Sequence, residues 1–110
     1  MTYSTVDDVV ERIVVDPSQF ESFKAEYGGI IESKIRAADA LIDARLAAYQ
    51  TTPLDPTPPA IRYVSADYAA ALFAADRGEY EKAKQLIDRA EQTLQAYIQA
   101  THLRGAFTTT

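Results

Sequence analysis

The sequence predicts an all-α fold, a small bundle of three long antiparallel helices preceded by two short N-terminal helices and followed by an extended C-terminal arm. Three observations lead there. Apolar residues recur at three- and four-residue steps over most of the chain, no two segments read as a strand pair, and the prolines and glycines punctuate the periodic segments. At 110 residues the chain fits one domain, 1–101, with 102–110 as the arm.

Thr5 is placed to cap a first helix over 6–14, in which Val6, Val9, Val10, Ile13 and Val14 keep helical spacing. Asp7, Asp8 and Glu11 suit its positive end. Asp16-Pro17-Ser18-Gln19 reads as a cap, a proline at the first helical position and a glutamine able to reach back. A second short helix is expected there, with Phe20, Phe23 and Tyr27 on one side and Gly28-Gly29 as its stop. From Ile30 to about Gln50, Ile31, Ile35, Ala38, Ile42, Leu46 and Tyr49 form the apolar stripe of a long amphipathic helix.

Pro53 and Pro56 force a loop after it, and Pro58-Pro59 can open the next helix, where a missing amide hydrogen does no harm. Ala60 to Arg77 carries two apolar stripes, one through Ile61, Val64, Tyr68, Leu72 and Ala75 and another through Tyr63, Ala66, Ala70 and Phe73. A helix apolar on nearly every side is a central one. Arg77-Gly78 ends it, and a last long helix from Glu79 to about Thr101 is expected to bury Tyr80, Ala83, Ile87, Ala90, Leu94, Tyr97 and Ile98. Beyond His102-Leu103-Arg104 no helical period survives.

Composition narrows the function. With no cysteine, a disulfide framework, a thiolate metal site and a cysteine nucleophile are impossible, and a reducing compartment is the simplest reading. The start lacks the basic and apolar regions of a signal peptide and no run approaches a membrane span, so neither export nor membrane insertion is expected. A net charge of −5 opposes adhesion to nucleic acid or anionic lipid, and no sequence-specific or strongly salt-dependent DNA binding is expected.

Chemistry finds little support. His102 is the single histidine and sits near a helix end, where a cation is favoured. Asp39 and Asp43 lie one turn apart without a third ligand, and read as a solvated face paired with Arg36 or Lys34. Asp67 sits among alanines, tyrosines and a valine, where an unpaired charge is costly, so an ion pair is expected with Arg45, or with Arg36, or else an opening onto a subunit contact. The four glycines make no phosphate loop or dinucleotide fingerprint, and no serine or threonine is tied to a base. Hence no enzyme activity, metal or cofactor is expected. Tyr3 and Phe107, near the two ends, are suited to anchoring in a partner's pocket.

Three stretches carry a family resemblance: Tyr3-Ser4-Thr5-Val6-Asp7-Asp8-Val9; Ile35 to Tyr49 with Ala38, Ile42-Asp43-Ala44 and Leu46; and Pro58-Pro59-Ala60-Ile61 followed by Ala66-Asp67-Tyr68-Ala69. In this order they resemble the head-to-tail connector family, the neck adaptor or head completion proteins of tailed bacteriophages and gene-transfer particles. Ala70-Ala71-Leu72-Phe73 departs from the more basic and aromatic character expected there. The resemblance implies a structural virion protein in a ring of twelve copies. That ring would bind the portal protein after DNA packaging, bridge it to a neighbouring neck or tail protein and form part of the DNA conduit. It further implies a location in the virion neck, reached from the host cytoplasm during assembly, and a portal-docking role for the C-terminal segment with His102, Leu103, Arg104 and Phe107. An acidic subunit suits such a channel, which must let phosphates slide. The alternative is a tetratricopeptide-like interaction module, because Ala69 to Ala90 looks like one such hairpin. No second copy follows at a repeat length, and such repeats stabilise one another by stacking.

Overall fold

The computed structural model describes residues 1–103, and all regular structure among them is helical: α1 (Val6–Ile13), α2 (Phe20–Leu46), α3 (Pro59–Asp76) and α4 (Tyr80–Ile98). A short 3-10 turn, Pro17–Gln19, leads into α2, and a π-helical turn, Gln99–Leu103, continues α4. His102 and Leu103 therefore belong to helical structure and not to an extended arm. Residues 104–110, including Arg104 and Phe107, lie outside the described residues.

Thr5 caps α1 as the sequence indicates. Its hydroxyl accepts from the Asp8 amide at 3.2 Å while the Asp8 carboxylate accepts from the Thr5 amide at 2.9 Å, a reciprocal capping box. At the following turn the Asp16 carboxylate takes the Ser18 amide and hydroxyl, at 3.0 and 2.9 Å, so Ser18 and not Gln19 completes the cap.

The expected break at Gly28-Gly29 does not occur: α2 runs unbroken for 27 residues. Its inward stripe, Phe20, Phe23, Tyr27, Ile31, Ile35, Ala38, Ile42 and Leu46, keeps three- and four-residue steps straight through the glycines. Phe23 and Tyr27 pack on Phe73 of α3, with ring centroids 5.7 and 5.5 Å away, and the Arg77 guanidinium lies over both Tyr27 and Phe73. Each glycine costs a helix about 1 kcal/mol relative to alanine, less than burying such aromatic surface returns. The second short helix and the long third one are thus a single element.

α3 is the central helix. It packs on α1, α2 and α4, and from Val64 to Ala71 every residue is buried. Its alanines let neighbours approach closely, whereas Tyr63, assigned to an apolar stripe by spacing, is 62% exposed. Gly78, with φ of 78°, closes the helix as a Schellman turn in which the Gly78 and Glu79 amides donate to the Ala75 and Ala74 carbonyls at 3.0 and 2.9 Å. α4 then buries Ala83, Leu86, Ala90, Leu94 and Ile98, leaving the expected Tyr80 72% and Ile87 37% exposed. Tyr49 also falls beyond the end of α2 and is half exposed. The described residues measure 54 × 28 × 21 Å.

Candidate interaction surface

Buried polar groups show where the chain is held and where it stays open. The first cluster fastens the N-terminus. Tyr3 is only 5% exposed: its amide donates to Asp39 at 2.8 Å, its hydroxyl donates to Asp43, and that hydroxyl accepts the Leu54 amide at 2.9 Å. Ser65 donates to the other Asp39 oxygen at 2.6 Å. With its one proton so used, Ser65 accepts from Ser4, also at 2.6 Å. Burial pushes the Asp39 carboxyl up from its ordinary range, opposed by these two donors, and burial together with the Asp43 carboxylate pushes the Tyr3 phenol up to about 12. Two expectations are corrected here. Tyr3 is not a free anchor, because its ring is buried in the core and its amide and hydroxyl are both engaged. Asp39 and Asp43 are not a solvated face paired with Arg36 or Lys34, because the N-terminal residues cover them; Lys34 pairs instead with Asp76.

The second cluster surrounds Asp67, 2% exposed on α3. Arg12 of α1 donates through Nε at 2.5 Å, and Arg89 of α4 donates through Nε and Nη2 at 2.9 and 2.7 Å. Asp67 takes cationic partners as its setting predicts, but they are Arg12 and Arg89, not the expected Arg45 or Arg36. Position 67 faces α1 and α4, while Arg45, at the end of α2, reaches Glu91 at 2.6 Å. Glu91 also accepts from the Tyr68 hydroxyl, and these two donors, Tyr68 first, hold its carboxyl below the usual range. Burial and that same carboxylate push the Tyr68 phenol well above its own. The pattern that could have pointed to Arg12 and Arg89 is weak, since each is a lone arginine near the apolar stripe of its helix.

The Asp67 cluster opens to solvent. Arg12 also donates Nη1 to the Asp8 carbonyl at 2.7 Å and lies beneath the Tyr63 ring, its guanidinium carbon 5.5 Å from the centroid. Arg62 grips the Asp8 carboxylate through Nε and Nη2, at 2.8 and 2.9 Å, and holds that carboxyl below its ordinary range. Three adjoining cavities, the largest about 400 Å³, share Arg12 and form a groove along α1, α3 and α4. Asp39, Asp67 and His102 have separate neighbours. His102 stacks on Tyr49 at 5.4 Å and meets Tyr97 edge-on, with its Nε2 enclosed and unpartnered among the described residues. Among those residues no group of histidines and carboxylates could hold a metal ion, and no helix is long and apolar enough to cross a membrane.

This arrangement covers the span over which a known family can be compared: residues 3–104 match bacteriophage Mu, Gp36. The chain belongs to the bacteriophage Mu Gp36 family. The match starts at the buried Tyr3 and runs past α4, so the Tyr3 cluster, the Asp67 cluster and the groove all lie within the Gp36 family's span. No curated protein and no solved structure matches the chain.

Proposed function

We propose that the chain is a structural virion protein, an adaptor subunit that assembles into a ring of twelve copies, joins the portal to the neck or tail and lines part of the DNA conduit. The observation that carries the reading is the Gp36-family match over residues 3–104, which makes this a phage protein along nearly its whole length. The physical features agree with it. The subunit is small, elongated and helical, and the buried polar groups around Asp39 and Asp67 are occupied by one another, as suits a structural part more than a reacting centre. In this reading it needs no cofactor, has no catalytic activity and assembles in the host cytoplasm before residing in the virion neck.

The test is mass in solution. Light scattering of the chain alone and mixed with the phage's portal protein should show a multi-copy complex on the portal. A chain that stays monomeric beside an intact portal refutes the adaptor role. Removing residues 102–110 should abolish portal capture in a pull-down, and unchanged capture would refute the docking role of His102, Leu103, Arg104 and Phe107.

A further inference from the structure

We infer that the groove along α1, α3 and α4 is a docking site for a carboxylate-bearing segment of a partner polypeptide. The inference rests on the adaptor reading for its biological setting, but not for its geometry.

The argument starts from the three guanidiniums. Asp67 takes Nε of Arg12 and both Nε and Nη2 of Arg89, the Asp8 carbonyl takes Nη1 of Arg12, and the Asp8 carboxylate takes Nε and Nη2 of Arg62. Each arginine is thereby held by two of its three nitrogens, and each keeps one terminal nitrogen without a partner among the described residues: Nη2 of Arg12, Nη1 of Arg62 and Nη1 of Arg89. A guanidinium fixed in this way has lost its rotamer freedom during folding, so a second anion meets a prepared donor and little further ordering opposes binding. The side chains of Arg62 and Arg89 are 58% and 59% exposed, so those donors are reachable.

The groove also stands apart in charge. Arg12, Arg62, Lys82 and Arg89 line it against the carboxylates Asp8, Glu11 and Asp67, leaving it positive on a chain whose total is −5. Tyr63 stands over its floor as a large exposed ring with a polar tip, the residue type that anchors protein contacts. Duplex DNA would bring a phosphate about every 1.7 Å of axis against the acidic remainder of the surface, whereas a short acidic segment confines its charge to the groove. The chemistry therefore favours a protein partner.

The test uses the isolated full chain, uniformly labelled with nitrogen-15 and titrated with a short alternating Glu-Ala peptide, a Lys-Ala peptide and duplex DNA. The Glu-Ala peptide should move the resonances of Arg12, Arg62, Tyr63, Arg89 and Thr93 in a saturable way that added salt weakens. Arg62→Gln and Arg89→Gln should each reduce affinity about tenfold with unchanged helical content, the loss of one charge-assisted bond. Shifts spread equally over Arg36, Arg45 and Lys84, or unaltered affinity in both variants, overturn the inference. Tighter binding of duplex DNA to the same residues overturns it in favour of nucleic acid. A chain that joins the portal but ignores the peptide refutes the groove alone, and one that binds the peptide but never joins the portal refutes the adaptor alone.

Discussion

Replacing Asp67 with asparagine keeps the volume of the side chain and removes its charge from a site where the carboxylate is 3% exposed and Arg12 13% exposed. Breaking a buried pair by neutralising one partner costs about 3–5 kcal/mol, chiefly because the other charge is stranded. Arg89 adds less, since a side chain more than half exposed regains water when released, and its share is discounted to at most about 1 kcal/mol. Asp67→Asn should therefore lose about 3 kcal/mol, a large part of the roughly 5–15 kcal/mol that such domains possess. With a urea m-value near ~1.5 kcal/mol/M, the midpoint followed by circular dichroism should fall by about 2 M at unchanged m. Arg12→Gln should cost nearly as much and Arg89→Gln much less. Asp67→Leu combined with Arg12→Leu should recover part of the loss, because no charge is left stranded. A loss below about 1 kcal/mol for Asp67→Asn, or equal losses for the two arginines, would refute the claim that burial sets the strength of this cluster.

Other perturbations bear on the remaining parts. Gly28→Ala and Gly29→Ala should each stabilise the chain by about 0.5–1 kcal/mol in the same denaturation assay, since a Cβ at either position meets nothing within 4 Å and both lie inside α2. Tyr3→Phe should cost about 1–3 kcal/mol by leaving the Leu54 amide and Asp43 without their shared partner. Because folding raises the Tyr3 phenol to about 12, the proton-bound form is the folded one; stability should hold below the ordinary value of 10.0 and decline as pH climbs toward 12, a decline that Tyr3→Phe lessens. Glu91 has the opposite sign. Its carboxyl is lowered in the folded chain, so its contribution is complete above the ordinary value of 4.5 and fades as pH falls below it, and thermal melts of Glu91→Gln should show a shallower acid-side loss than the parent.

Much of the fold was legible because helical periodicity and capping chemistry are local. Thr5 as the cap of α1, Pro59 at the start of α3 and Gly78 at its end each follow from a few consecutive residues, and the structure keeps all three. What escaped depends on contacts distant in sequence. Gly28-Gly29 reads as a stop until Phe73, more than forty residues on, is known to hold Phe23 and Tyr27 in place. In α4, Leu86 and Ile87 both sit three or four residues from Ala83 and Ala90, so spacing permits either, and only the position of α3 selects Leu86. The burial of Asp67 was visible from its neighbours, but its partners come from two other helices whose orientation no local pattern encodes. The engagement of Tyr3 escapes the sequence for the same reason, since a residue near an end looks free unless Asp39, Asp43 and Leu54 are seen converging on it.

The Tyr3 contacts join regions far apart along the chain. One side chain holds the second helix and the proline-rich loop, while Ser4 beside it holds the third helix. The opening segment and that loop should consequently behave as one breathing unit. Protection of the Leu54 amide against deuterium would then rise and fall with that of Tyr3, and a protease able to clip the loop would first have to wait for the beginning of the chain to let go.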